Sequence, residues 1–341
     1  MNIVNHQFRL AARPVGMPKR SDWNYTQEAI TDLGESEVLV KVLYLSLEPA
    51  MRGWINEGRS YVTPVGIGEV MRAAGVGQVI RSKDPAFAEG DLVAGRFGVQ
   101  EYARCKGKEL TKVDTKLAPI PVYLNILNTN GLGLPGMTAY FGLLEIGQPK
   151  MGETVVVSGA AGAVGMTAGQ IAKIKGCQVI GIAGSAEKCH YIVKELGFDA
   201  AINYKSEDVR QALRSHCPKG INVYFDNVGG DILEACLGNL ALHARIVICG
   251  AISQYNSTTP VKGPSNYLAL LVYRARMEGF LVVDYAAKYP QAQQEMAAWI
   301  KQGKLRSRED IVEGFETFPD TLLKLFKGEN FGKLILKVAS T

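Results

Sequence analysis

Apolar residues follow two different rhythms along this chain. Over the first third they come as β-branched runs. Val38–Leu47 is a long apolar run broken by Lys41, with Ser46 near its end, and Val76–Ile80 and Leu92–Tyr102 add strand-like pieces between glycine and proline punctuation. Helical periodicity is weak there, which predicts an antiparallel β domain. From about Glu153 short apolar runs alternate with helical spacing. The strands are expected at Thr154–Val157, Val179–Ile182, Ala200–Asn203, Val223–Phe225 and Ile246–Cys249, with a sixth at Gly279–Val283. The helices between them are expected at Ala163–Lys175, Glu187–Leu196, Asp208–His216 and Ile232–Leu240. Strands recurring about every 20 residues with helices between them predict an α/β fold with a doubly wound parallel sheet. A helix at Gln291–Gln302 and a last strand at Leu334–Val338, returning to the first domain, complete the reading. The expected domains are 1–129, rejoined by 296–341, around an inserted nucleotide-binding domain at 130–295, with the active site in the cleft between them.

The strongest local signal opens the first βα unit. Val155–Val157 runs into Ser158 and the spacing Gly159-x-x-Gly162-x-x-Gly165. Gly159 permits a tight turn, Gly162 lets backbone N–H groups approach a pyrophosphate, and Gly165 lets the helix pack on the strand. Small residues also serve plain helix–strand packing, but the position at the head of the alternation favours a dinucleotide site. The second strand ends Ile182-Ala183-Gly184-Ser185-Ala186-Glu187-Lys188. The acid that usually binds the ribose 2′-hydroxyl of NAD is missing from its tip. A hydroxyl at Ser185 and a cation at Lys188 suit a 2′-phosphate instead, and Glu187 reads as a solvent-facing acid of the first helical turn.

Composition removes several alternatives. The chain has 341 residues, enough for about two domains, and a net charge of +5 with no run of five like charges. A nucleic-acid or anionic-membrane footprint is more concentrated than that. No apolar stretch approaches the roughly 18 residues of a membrane span, and the first 20 residues lack the apolar region of a secretory signal. The six cysteines form no C-x-x-C pair and no zinc-ligand spacing, so reduced thiols in a cytoplasmic protein are expected.

Several strings together carry a resemblance: VSGAAGAVG, IAGSAEK, INYK, FDNVGG, ICGAISQYN and ENFGK, with SLEPAMRGW and GIGEVMRAAGVGQV nearer the N-terminus. The chain resembles the zinc-free medium-chain dehydrogenases/reductases, in the branch of leukotriene B4 12-hydroxydehydrogenase, prostaglandin reductase, plant double-bond reductases and curcumin reductase. The resemblance implies a Rossmann domain beside a GroES-like β domain, NADPH as cofactor, and a small enone or alkenal as substrate. It implies that Gly162, Ala163, Val164 and Gly165 hold the pyrophosphate. Lys188 and Tyr204 would hold the 2′-phosphate, helped by Ser185, and Asn227 would contact the nicotinamide side. Cys249, Gly250, Ala251, Ile252, Ser253, Gln254 and Tyr255 would line the nicotinamide ribose. Phe280, Leu281 and Val282 would meet the carboxamide, and Asn330 would close over the cofactor. Cys249 reads as a backbone contact and not as a nucleophile.

The metal question follows from residues. Ser46-Leu47-Glu48-Pro49 stands where zinc-dependent relatives place their first ligand, and His6, His190, His216 and His243 all lie elsewhere, so no metal is expected. Reduction of a polarised enone then needs only a hydrogen bond to the developing enolate oxygen. Tyr255 is the candidate donor, since a phenol with a reference pKa near 10 keeps its proton at neutral pH; the plainer alternative is that it only orders the ribose. Tyr61 is a second aromatic candidate for the cleft. Ala50 stands where relatives often carry a pocket tyrosine, so their substrate preferences do not transfer. The long, apolar connection Pro260–Arg276, with Tyr267–Tyr273 at its centre, predicts a homodimer packed across a two-fold axis. The rival readings are a quinone reductase using the same cofactor and a non-catalytic NADPH-binding protein.

Overall fold

A computed structural model of the chain describes residues 3–58, 60–116, 118–127 and 134–340. Two compact units emerge: Met1–Gly133 with Glu309–Thr341, and Leu134–Arg308. The expected boundary at 129/130 lies outside the described residues. The boundary expected at 295/296 would cut the helix Tyr289–Lys301, which buries Ala292, Met296 and Trp299 along one stripe. A helix with its apolar stripe committed to one core cannot be shared, and the break falls after it, at 308/309.

In the first unit β1 (Val4–Leu10) pairs antiparallel with β2 (Trp23–Ala29). β3 (Glu37–Ser46) pairs antiparallel with β4 (Gly75–Ser82), which continues to β5 (Leu92–Gly95). β6 (Tyr102–Lys106) also pairs with β3, and β7 (Thr111–Lys112) with β5. The expected single piece Leu92–Tyr102 is thus two strands, because Arg96–Glu101 turns the chain between them.

The second unit holds one six-stranded sheet: β8 (Thr154–Ser158), β9 (Gln178–Ala183), β10 (Ala200–Asn203), β11 (Ile221–Asp226), β12 (Leu240–Ile248) and β13 (Arg276–Gly279). Every pairing is parallel, in the order β10-β9-β8-β11-β12-β13. Strand order therefore reverses at β8, and the crevice beyond the carboxyl ends of β8 and β11 is where such sheets bind ligands. Two expectations need correction here. The helix expected to reach Leu240 spans Gly230–Leu237, and Leu240 already opens β12. The sixth strand is Arg276–Gly279 and not Gly279–Val283, whose end enters a 3-10 turn at Val282–Lys288. The register is set by pairing with Arg245–Ile248 of β12, not by the apolar run that follows.

The chain ends in the first unit. β14 (Glu309–Glu313) lies parallel to β15 (Lys333–Lys337), and β15 pairs antiparallel with β3. The C-terminal strand thus returns to the first β domain. Its core packs Val38, Val40, Val42 and Leu45 of β3 with Leu334 and Leu336 of β15.

Candidate nucleotide-binding site

Three loops gather at the carboxyl ends of β8, β11 and β12. The first follows β8. Gly159 has φ +58°, a left-handed conformation that suits glycine. The Ala160 N–H bonds to Ile182 O at 3.0 Å, tying the turn to β9, and the Gly162 N–H closes the turn on Gly159 O at 2.9 Å. The helix Ala163–Ile174 then starts with Gly162 as its cap, which supplies no side-chain oxygen. The first-turn N–H groups are thus left to an outside anion, with the helix dipole behind them. A Cβ on Gly165 would lie 2.3 Å from Gly159 O and 2.8 Å from Ala160 Cα, so strand and helix meet too closely for any side chain there. This uncapped cradle, with no Cβ at Gly159, Gly162 or Gly165, fits a pyrophosphate.

The tip of β9 carries the second group. Ser185 caps the helix Ala186–Lys194, its Oγ accepting the Lys188 N–H at 3.2 Å. That leaves the hydroxyl proton to donate elsewhere. Tyr204, just beyond β10, is 41% exposed, and a Cβ on Gly184 would touch its ring and hydroxyl at 2.9 Å. Ser185, Lys188 and Tyr204 therefore stand together at one end of β9 and β10.

The loops after β11 and β12 are joined through Asp226, a fully buried carboxylate (1% exposed). Its Oδ1 accepts from Tyr224 OH at 2.7 Å, Gly229 N–H at 2.9 Å, Val228 N–H at 3.0 Å and Ser158 Oγ at 3.1 Å. Burial pushes the carboxyl above its ordinary range, although these donors oppose that shift. Its backbone oxygen accepts the N–H groups of Cys249 at 2.9 Å and Gly250 at 3.0 Å. Asn227 Nδ2 donates to Ser158 O at 2.7 Å, and Ser158 Oγ accepts the Asn227 N–H at 3.0 Å. Ser253 Oγ donates to Val228 O at 2.6 Å. Tyr255 is half-buried, and its phenol oxygen accepts the Ala251 N–H at 3.1 Å. Burial pushes the Cys249 thiol up to about 12, so it holds its proton at neutral pH and is no nucleophile.

Past β13, Phe280 packs on the backbone of Gly142, where a Cβ would come within 2.5 Å of its ring, while Leu281 and Val282 enter the following turn. Asn330 and Tyr61 belong to the first unit. Asn330 Nδ2 donates to Gly332 O at 3.0 Å, and the Tyr61 hydroxyl accepts from Trp54 Nε1 at 3.3 Å. Ala50 precedes the short helix Met51–Trp54.

Sequence reading passed over Ser158, Asp226, Gly184 and Gly229. The available signal was small: a polar residue closing each of two mostly apolar strands, Thr154–Ser158 and Ile221–Asp226.

Two family models match the chain. One, described as the N-terminal domain of oxidoreductase, covers residues 6–113; the other, described as zinc-binding dehydrogenase, covers 163–300. For the metal of that description the described residues offer no group of three His, Cys, Asp or Glu side chains. In the segment Ser46–Pro49, where the first ligand of a zinc-dependent chain is expected, Ser46 Oγ donates to Glu48 Oε1 at 2.9 Å. The NADPH-dependent curcumin reductase of Escherichia coli is 42% identical, over 98% of this chain and 97% of its own. The NADP-dependent 2-alkenal reductase of Nicotiana tabacum is 44% identical, over 99% and 98%. The crystal structure of CurA from Vibrio vulnificus in complex with NADPH superposes with a TM-score of 0.92, at 41% identity, covering 98% of this chain and all of that one. The sheet order, the glycine cradle and these full-length similarities agree: the chain belongs to the medium-chain dehydrogenase/reductase family, in the branch of the curcumin, alkenal and prostaglandin reductases.

Proposed function

We propose that this chain is an NADPH-dependent reductase of the carbon–carbon double bond of small α,β-unsaturated ketones and aldehydes. The observation that carries the reading is the uncapped glycine cradle at the switch point of the sheet, beside a cluster of Ser185, Lys188 and Tyr204 suited to a 2′-phosphate. Full-length similarity to reductases whose names specify NADPH, alkenals and curcumin supports it.

When bound, NADPH supplies a hydride to the β carbon of the substrate. The chain's residues bind and orient. The N–H groups of Ala163, Val164 and Gly165, reached over the bare Cα of Gly162, receive the pyrophosphate, and Lys188, Tyr204 and Ser185 the 2′-phosphate. Asn227, the loop Cys249–Tyr255 and the backbone of Phe280–Val282 bound the nicotinamide end. Tyr255 donates a hydrogen bond to the carbonyl oxygen, where negative charge develops. Its phenol oxygen already accepts from Ala251 N–H, so its proton is turned away from that bond, and an accepted hydrogen bond strengthens the phenol as a donor. No step needs a metal.

The working form is a homodimer. β13 is an edge strand of the sheet, and the preceding connection exposes Tyr267, Leu268, Leu271 and Val272, the last two by 73% and 64%. Apolar exposure beside an open strand edge calls for a partner, and a second copy satisfies both across a two-fold axis. The six free thiols suit the cytoplasm, where such groups stay reduced. The test is NADPH oxidation across alkenals, cyclic enones, long enones and quinones, with product analysis. Saturated ketones or aldehydes are expected. Turnover of quinones alone, or NADPH binding with no turnover on any acceptor, overturns the reading.

A further inference from the structure

We infer that Asp226 is a positioning residue, whose carboxylate sets the geometry of the phosphate turn after β8 and of the Tyr255 loop after β12. The inference rests on the proposed reading that these loops hold NADPH. Asp226 touches neither the pyrophosphate turn's N–H groups nor the Tyr255 hydroxyl. It acts through others, and the routes are explicit. Toward the phosphate turn, Oδ1 accepts from Ser158 Oγ at 3.1 Å, and Ser158 immediately precedes Gly159. The same Ser158 is tied to Asn227 twice, through Oγ at 3.0 Å and through its carbonyl at 2.7 Å. Toward the Tyr255 loop, the Asp226 carbonyl holds the N–H groups of Cys249 and Gly250, and Asn227 O accepts from Ile252 N–H at 3.3 Å. The conformation of Asp226 is itself fixed by its carboxylate, which gathers Val228 and Gly229 N–H into the start of the next helix.

Stability does not explain this choice of residue. A carboxylate with 1% exposure loses nearly all of its hydration. Well-packed apolar residues commonly replace buried charges with no loss of stability. What an apolar residue cannot do is hold four donors from two chain segments, Ser158 and Tyr224–Gly229, on one atom. A neutral amide keeps an acceptor oxygen but loses the negative charge that strengthens the hydrogen bonds of the four donors converging on it. The charge therefore serves the alignment of the turn after β8 with the loop after β11, whose Asp226 and Asn227 carbonyls in turn hold the loop after β12.

The experiment uses the full-length chain and NADPH itself. Asp226→Asn keeps size and shape while removing the charge. NADPH dissociation constants are measured by fluorescence, turnover at saturating NADPH and enone by absorbance, and folding by thermal melting. Asp226→Asn is expected to raise the NADPH dissociation constant about tenfold and to lower saturated turnover, with a melting temperature within a few degrees of wild type. Ser158→Ala is expected to raise the constant several-fold, and the double variant to be no worse than about twofold beyond Asp226→Asn, because the two residues act on one route. A lower melting temperature with unchanged binding and turnover of the folded protein would mean a structural role only and overturns the inference. So does full additivity of the two substitutions. If Asp226→Asn does not fold, Ser158→Ala alone decides, and an unchanged NADPH constant overturns the inference. Failure of the wild-type chain to bind NADPH overturns the proposed function and this inference with it, whereas binding by wild type and Asp226→Asn alike overturns only the inference.

Discussion

Gly165 offers the most direct test of the cradle. Substitution by alanine places a Cβ 2.3 Å from Gly159 O and 2.8 Å from Ala160 Cα. Both atoms are backbone, and ordinary contacts begin near 3.4 Å, so helix and turn must part by about 1 Å. Overpacking of this kind costs about 1–3 kcal/mol of stability. The binding consequence is separate. The parted helix carries its first-turn N–H groups away from the turn that shapes the cradle, and hydrogen bonds to a charged group are worth about 1.5–3 kcal/mol each. Loss of one such bond weakens NADPH binding about tenfold or more. Gly162→Ala is the natural comparison, since its Cβ meets only Gly159 O, at 3.3 Å. It leaves stability nearly intact while adding a methyl group to the cradle. Fluorescence titration with NADPH and thermal melting on both variants read the two effects. A Gly165→Ala protein that binds NADPH as tightly as wild type would refute the close-approach argument.

Three further outcomes are expected. Lys188→Ala raises the Michaelis constant for NADPH about tenfold to a hundredfold and leaves that for NADH nearly unchanged, because one charge-assisted contact is worth about 1.5–3 kcal/mol; equal effects on both cofactors would remove Lys188 from the 2′-phosphate site. Leu271→Glu, a change at a residue 73% exposed in the single chain, yields a monomer by light scattering where wild type is a dimer, and a wild-type monomer at micromolar concentration would count against the proposed assembly. Activity persists after prolonged treatment with EDTA or phenanthroline, and restoration of lost activity by added zinc would reverse that reading.

The parallel sheet was legible because its central strands are buried on both faces and read as continuous apolar runs, Val155–Val157 and Val223–Phe225 among them. Legibility failed at the edges. β12 carries His243, with φ +60°, and Arg245 within its span, so only its apolar end resembled a strand. β13 is an exposed edge, Arg276-Met277-Glu278-Gly279, and the apolar Phe280–Val283 beside it drew the assignment downstream. The glycine spacing carried the phosphate turn, since steric demands on Gly159 and Gly165 are local. Asp226 carried no such signal. An aspartate after an apolar strand reads as a turn residue. Its partners Ser158 and Cys249 lie 68 and 23 positions away and meet it only when the sheet places β8, β11 and β12 side by side.

Tyr255 poses the sharpest question about the chemical step, and the structure adds a term to its test. Tyr255→Phe keeps the ring and removes the hydroxyl, but it also leaves the Ala251 N–H without the acceptor it has at 3.1 Å. That loss costs about 1 kcal/mol and loosens the loop, so the NADPH dissociation constant is expected to rise by no more than about fivefold. The transition-state loss is separate, because a donor aimed at the developing enolate oxygen matters most when charge is there. A single oxyanion donor is worth about 10²–10³ in rate. Water or the ribose 2′-hydroxyl replaces part of it in an open site, and a fall of about tenfold is expected. Single-turnover hydride transfer, measured with NADPH and enone both saturating, isolates that step from binding. A slowed transfer with nearly unchanged affinity assigns Tyr255 to the reaction. An unchanged transfer rate with weakened cofactor binding would confine it to holding the ribose, and the oxyanion donor would then have to be sought elsewhere.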